Sequence, residues 1–282
     1  MIRFTGIRWW RQFALALGCL MLVIACNNTA PNSTDAGSNP SGAGSNPVAA
    51  GKTLKVATDP TFAPFEFQGP DGQIQGFDID IINSIGKAEG FQVELESMRF
   101  DGMIGALQAG SVDTAMAGVT ITPERAKVID FSKPYFKAGL AIAVPEKNTD
   151  ITDLDSLKNK KIAVQIGTTS ADEAKKVSGA KISTFDSPDL VLQEVVNGNA
   201  DAAINDKAVT LYAFKTGSLK GLKLVGEQLT AEYYGIPTPK GSENLESINR
   251  GLDTIIKDGT YAQIYKKWFD EEPPKLPETA PI

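Results

Sequence analysis

From Thr53 onward short apolar runs alternate with stretches of helical period, and this alternation restricts the fold more than any other feature. Thr53–Asp59 reads as a strand ending in a Pro-rich turn, Pro60 to Pro64. Asp78–Glu89 places Ile79, Ile82, Ile85 and Gly86 on one helical face. Asp101–Ala109 reads as a helix stopped by Gly110, and Val112–Ala117 as a strand. Strands are predicted at Leu140–Val144 and Lys161–Gln165, with a helix near Thr152–Leu157 between them. A helix at Pro188–Asn197, a strand at Asp201–Asn205 and closing helices at Asn244–Lys257 and Tyr261–Phe269 follow. The pattern predicts an α/β protein with mostly parallel sheets covered on both faces. The Pro-rich residues 271–282 read as a flexible tail.

Composition then removes function classes. The chain has no histidine, which excludes Ser-His-Asp triads, Cys-His pairs and histidine-containing zinc motifs. Its two cysteines, Cys19 and Cys26, both lie near the N-terminus, so the body has no disulfide framework and no thiolate metal site. No cofactor and no metal are expected. The formal net charge of −6 argues against nucleic acid as the main partner.

Residues 1–12 carry Arg3, Arg8 and Arg11 and no acid, and residues 13–25 carry no charge. A basic start before an apolar run of this length reads as a secretory signal, too short for a comfortable membrane span. The run ends Val23-Ile24-Ala25-Cys26, which resembles the lipobox of bacterial lipoproteins. That resemblance implies a signal peptide over 1–25, cleavage before Cys26 and lipidation of its thiol; an uncleaved anchor is the alternative. Residues 26–51 are rich in Gly, Ser, Asn and Pro with no aromatic residue, the composition of a disordered tether.

Three places carry more than folding. In Thr120-Ile121-Thr122-Pro123-Glu124-Arg125, Thr122 reads as an N-cap and Pro123 as the first helical residue. Arg125 then opposes the macrodipole, which suits an anion bound beside it. A solvated Arg125 paired with Glu124 or Asp130 fits the spacing as well. In Gln165-Ile166-Gly167-Thr168-Thr169-Ser170, a strand runs into a loop that opens a helix, an anion site or a plain helix cap. Asp206 follows an apolar strand, where α/β sheets bind ligands, and is either a partner for an ammonium or a helix cap.

The residues quoted above belong to a wider pattern. Thr58-Asp59 with Phe62, Pro64, Phe65, Glu66 and Phe67, then Gly76-Phe77-Asp78-Ile79-Asp80, then Ala117 to Arg125, then Asp130-Phe131-Ser132 with Pro134-Tyr135 form one set. Gly167-Thr168-Thr169, Tyr234-Gly235-Ile236 and Gly259-Thr260-Tyr261 to Phe269 extend it. Together they resemble the amino-acid-binding proteins of polar amino acid ABC transporters, family 3 solute-binding proteins, over about residues 52–270. The resemblance implies a two-lobed periplasmic-binding-protein-like fold with two crossover hinge strands (type II). Lobe 1 would be 52–138 and 236–270, and lobe 2 would be 139–235.

By the same resemblance Arg125 grips a ligand carboxylate, helped by Thr120 and the backbone at Gly118 and Thr169. Asp206 takes the ammonium, Phe62 and Phe100 enclose the side chain, and Asp59 meets its end. Gln165 stands where glutamine binders often carry Lys. This departure relaxes the exclusion of cationic side chains. Glutamine is the favoured ligand, with arginine, lysine or histidine as the alternative. The implied partners are permease subunits of an ABC importer and a membrane held through the lipid, with the protein a monomer outside the cytoplasm. An enzyme on the same fold, such as a dehydratase using Glu173 or Glu232, is the distant rival.

Overall fold

The computed structural model describes residues 51–281. The signal, tether and Cys26 expectations lie outside the described residues. Eight α-helices occur among them: α1 Phe77–Glu89, α2 Phe100–Gln108, α3 Pro123–Ala126, α4 Thr169–Lys175, α5 Pro188–Val196, α6 Lys207–Thr216, α7 Asn244–Lys257 and α8 Thr260–Phe269. Most of them pack on two separate sheets, while α3 lies against the strand Ile129–Phe131 and α8 against α1 and α7.

In the first sheet Thr53–Thr58 lies between Gln92–Ser97 and Thr114–Ala115, all parallel. Alternation along the central strand decides which face each residue serves. Leu54 and Val56 join the cluster holding Phe77, Ile81, Ile82 and Ile85 of α1 with Ile248 and Leu252 of α7. Ala57 points the other way, to Met103 and Leu107 of α2. Each large side chain fully buried here contributes about 1.5–3 kcal/mol.

The second sheet has the order Lys181–Phe185, Lys161–Gln165, Ala202–Asp206, Leu140–Pro145, Leu222–Val225. The first three strands run parallel, but Leu140–Pro145 pairs antiparallel with both of its neighbours. This departs from the mostly parallel expectation. Leu140–Pro145 is reached directly from the preceding strand, Phe136–Ala138, with no crossover helix between them. Both faces are covered. Ile162, Val164 and Ile204 pack with Ala171 and Ala174 of α4, while Ala163 and Ala203 pack with Val191, Leu192 and Val195 of α5. Helix α5 begins at a clean cap, where Ser187 Oγ accepts the Leu190 N–H at 3.4 Å ahead of Pro188. Ser187→Ala is expected to lower stability by about 1 kcal/mol, read as a shift of the urea midpoint at unchanged slope.

Two antiparallel ribbons join the sheets. Phe136–Ala138 pairs with Glu232–Tyr234, and Ile129–Phe131 with Pro237–Pro239. An aromatic cluster backs them: Phe65 meets Phe136 edge-on at 4.8 Å and Tyr234 at 5.4 Å. The chain thus has the two-lobed α/β fold with paired crossover strands. The predicted helix near Thr152–Leu157 is a single 3-10 turn, Asp155–Leu157, and the predicted strand at 112–117 shrinks to two paired residues. Of the residues read as a flexible tail, 271–281 have no helix or strand, yet lie against the body. Leu276 packs on the first lobe's core, and Glu278 pairs with Lys133 at 3.1 Å.

Candidate functional site

The parallel strands of both sheets aim their C-terminal ends at one another. Asp59 follows the first sheet's central strand, and Phe100 opens α2 after Gln92–Ser97. Gln165 and Asp206 end two strands of the second sheet. Ligands bind at such ends in α/β sheets. A cavity lies there, lined by Phe62, Phe100, Gly118, Thr120, Arg125, Leu140, Gln165, Thr168, Thr169, Ser170, Asn205 and Asp206. Its volume of about 30 Å³ has room for a water or two, so an amino acid enters only if the lobes part. A larger hollow of about 380 Å³ lies beside Phe136–Ala138 and α6 and shares Asp206, but of the two it is the small one that brings Arg125 and Asp206 together at the strand ends.

Arg125 sits where the local sequence puts it. Thr122 Oγ1 accepts the Arg125 N–H at 3.2 Å, and Pro123 starts the short helix. The guanidinium donates from Nη1 to the Thr120 carbonyl at 2.9 Å and from Nη2 to the Gly167 carbonyl at 3.0 Å, which lies across the cleft. It also stands 5.3 Å over the Phe100 ring. Burial lowers its pKa, while Glu232 and Asp172 pull the other way. These bonds leave N–H groups of its fork free to meet an anion.

Asp206 is 6% exposed. The Tyr234 hydroxyl donates to its Oδ2, and its Oδ1 has no partner. Burial pushes its pKa up to about 7, against the pull of the Tyr234 hydroxyl. Asp206 also stands at the N-cap position of α6, without a side-chain cap of good geometry, and the Ala208 N–H adds a weaker downward pull on its pKa. A buried, half-partnered carboxylate lining a cavity is a place for a cation.

Asp59 is bonded only to neutral groups: the Thr61 hydroxyl at 2.8 Å, the Phe100 N–H at 3.2 Å and the Gln165 amide at 3.4 Å. Burial raises its pKa. Gln165 Nε2 also donates to the Asp186 carbonyl at 3.0 Å. Asp59 therefore stands just behind the lining, reached through Gln165 and Phe100.

The structure brings Phe62, Phe100, Gly118, Thr120, Arg125, Gln165, Thr169 and Asp206 to one cavity, where some of their polar atoms are already engaged. The Gly118 N–H already donates to Asp78 Oδ2 at 3.0 Å, so the carbonyl is what its backbone can offer. Gly118 has φ +54, and a Cβ there would meet the Phe62 ring at 2.6 Å, which is why glycine stands here. The Thr120 and Thr169 hydroxyls both donate to Glu232 Oε2, at 2.9 and 3.1 Å. The capping alternative does hold for Thr168, whose Oγ1 accepts the Ala171 N–H at 3.3 Å.

Residues 54–271 match the family described as bacterial extracellular solute-binding proteins, family 3. The chain belongs to this family. This solute-binding protein is 35% identical over 227 residues to a probable histidine-binding protein of Neisseria gonorrhoeae, covering 78% of this chain and 84% of that one. It is 48% identical to the solved structure of an ancestral arginine-binding protein bound to glutamine, with a TM-score of 0.75 over 78% of this chain and 98% of the other. It is 38% identical to the arginine-, lysine-, histidine-binding protein ArtJ from Geobacillus stearothermophilus, with the same TM-score over 79% and 97% of the two chains. Among the described residues no helix is long and apolar enough to cross a membrane, and no acid, Cys or His cluster is placed to hold a metal.

Sequence reasoning missed Tyr234 as a site residue and named Glu232 only as an acid for the enzyme rival. Tyr234 could have been suspected from its place in the Tyr-Gly-Ile motif. Glu232 had no such signal, because its partners Thr120 and Thr169 lie 112 and 63 residues away.

Proposed function

We propose that this protein binds a free cationic amino acid between its lobes outside the cytoplasm and delivers it to an ABC importer. The observation that carries the reading is the charge arrangement at the cleft. Arg125 answers a carboxylate, and the unpartnered Asp206 Oδ1 answers an ammonium. Asp59 remains a buried acid whose direct contacts are all neutral. A cationic side chain balances it; a neutral one leaves it uncompensated. Phe62 and Phe100 supply apolar walls for the carbon stem, and Thr120, Thr169 and the Gly118 carbonyl complete the polar contacts. The relatives named for arginine, lysine and histidine support this class.

Glutamine is the second reading. Gln165 and Asp59 together offer a donor and an acceptor suited to an amide, and one solved relative holds glutamine. Calorimetric titration of residues 48–282 with each common amino acid separates the two. Arginine or lysine is expected to bind more tightly than glutamine. Asp59→Asn is expected to weaken arginine about tenfold while leaving glutamine within about threefold. Tighter glutamine binding that Asp59→Asn impairs more than arginine binding would reverse the assignment.

Lobe 1 is assigned to residues 52–138 and 236–270 and lobe 2 to 139–235, supported by the membership of the two sheets. Cys26 is assigned as the lipid attachment point after removal of residues 1–25, with 26–51 as tether; mass spectrometry of the membrane-bound protein and of Cys26→Ser tests it. The enzyme rival gains nothing from the geometry: Glu173 is held by Lys176, and Glu232 by hydroxyls.

A further inference from the structure

Glu232 is a buried carboxylate that the binding reading leaves without a task. It is 8% exposed and lies in the ribbon that joins the two lobes. Its Oε2 accepts two hydroxyl hydrogens, from Thr120 at 2.9 Å and from Thr169 at 3.1 Å. Its Oε1 accepts a third, from Thr230 at 3.0 Å. Thr120 follows the first sheet's last strand, and Thr169 opens α4 on the second sheet. We infer that Glu232 is a lobe-bridging positioning residue, which ties Thr120 of one lobe to Thr169 of the other and so sets how long the cleft stays closed.

A bond of Glu232 crosses the cleft whichever lobe the ribbon follows. If Glu232 moves with the first lobe, its bond to Thr169 crosses the cleft. If it moves with the second, its bond to Thr120 crosses instead. Opening breaks one bond to a charged acceptor in either case. The isolated bridge between Thr120 and Tyr234 favours the first arrangement, since it fixes Thr120 beside the ribbon by backbone. Other bonds cross the cleft, but they differ in kind. Arg99 reaches Asp186 at 3.1 Å with both side chains 56% exposed, where water and salt weaken the pair. Arg125 reaches the neutral Gly167 carbonyl. The Gln165 amide reaches the buried Asp59 across the cleft with one long bond of 3.4 Å. Glu232 instead holds hydroxyls from both lobes at 2.9 and 3.1 Å, and bonds to charged groups in such surroundings are the stronger ones.

The tie also orients the site. Each threonine hydroxyl has one hydrogen, and both hydrogens point at Oε2. Toward the cavity the two oxygens therefore present lone pairs. They can accept from an ammonium, while the donation to a carboxylate falls to Arg125 and to backbone N–H groups. Glu232 thus decides which end of a zwitterion the threonines meet.

The test uses Glu232→Gln in residues 48–282, which contain no native cysteine. Cysteines at the exposed Ser111 and Asn199, one on each lobe, carry spin labels. In ligand-free protein, Glu232→Gln is expected to broaden the interlobe distance distribution toward longer values. With arginine as probe, its release rate is expected to rise about tenfold while the association rate stays within about twofold. Thr169→Val leaves the ribbon intact and should give the same direction; the double variant should release no faster than the faster single one, since both remove one interaction. Superimposable distance distributions, or additive effects in the double variant, overturn the inference. The ligand arm rests on the amino-acid reading above, but the distance arm does not. Parent protein that binds no amino acid therefore sinks that reading, while the spin-label result still decides the tie.

Discussion

Arg125→Ala is expected to weaken amino acid binding at least about 100-fold in calorimetric titration. The size follows from what surrounds the lost cation. A carboxylate entering the cavity lies near two acids, Asp206 and Glu232, and Arg125 is the one cation lining the cavity. Removing it takes away a charge-assisted fork and leaves the incoming carboxylate opposed by like charge, a loss of about 3 kcal/mol or more. Arg125→Lys keeps the charge and loses the planar fork, so it should fall between the two. Stability should fall as well, by up to a comparable amount. The guanidinium bonds to two backbone carbonyls, Thr120 and Gly167, and each such bond contributes about 1–3 kcal/mol at most. Binding by Arg125→Ala within tenfold of the parent protein would place the carboxylate elsewhere.

Where structure depends on neighbours in sequence, the sequence was readable. Helix α7 matches its expected span, the first strand ends one residue earlier than expected and α1 starts one residue earlier, because an apolar stripe or alternation marks them locally. The Thr122 and Thr168 caps were visible for the same reason, as each needs only its own next three residues. The antiparallel entry of Leu140–Pro145 was not, since strand direction is set by how the chain crosses between lobes. Helix α6 was legible only as a stretch beginning at Lys207. Its amphipathic signal is weak because it packs on two sides, with Val209 in one core and Ala213 in the other.

The site shows the same division. Which residue types stand at strand ends was legible, and so was the pairing of one cation with one acid. The direction of each hydrogen was not. The Gly118 N–H turns away to Asp78, a carboxyl buried under the loop with Tyr135 as its second donor. The threonine hydroxyls turn away to Glu232. Both facts depend on groups 40 to 112 residues distant in sequence, and no local pattern encodes them.

The pH dependence of binding and of stability should run in opposite directions, and Asp206 is the reason. Its folded pKa of about 7 stands far above the usual value for an aspartate, about 3.9. An ammonium seated on the free Oδ1 favours the ionised form, so binding drives a proton off. Affinity should therefore rise with pH up to about 7 and fall below it by up to about tenfold per unit. At pH 7 about half a proton should leave per ligand bound, measurable by titration in buffers of different ionisation heat. For ligand-free protein the sign inverts. The folded state holds a proton that the unfolded chain gives up, so this group's contribution to stability is full below pH 4 and declines as pH rises toward 7. Asp206→Asn should flatten both profiles and weaken binding about 100-fold, because the amide accepts an ammonium without opposing its charge. An affinity that is flat between pH 5 and 7 in the parent protein would mean that the ammonium does not sit on Asp206.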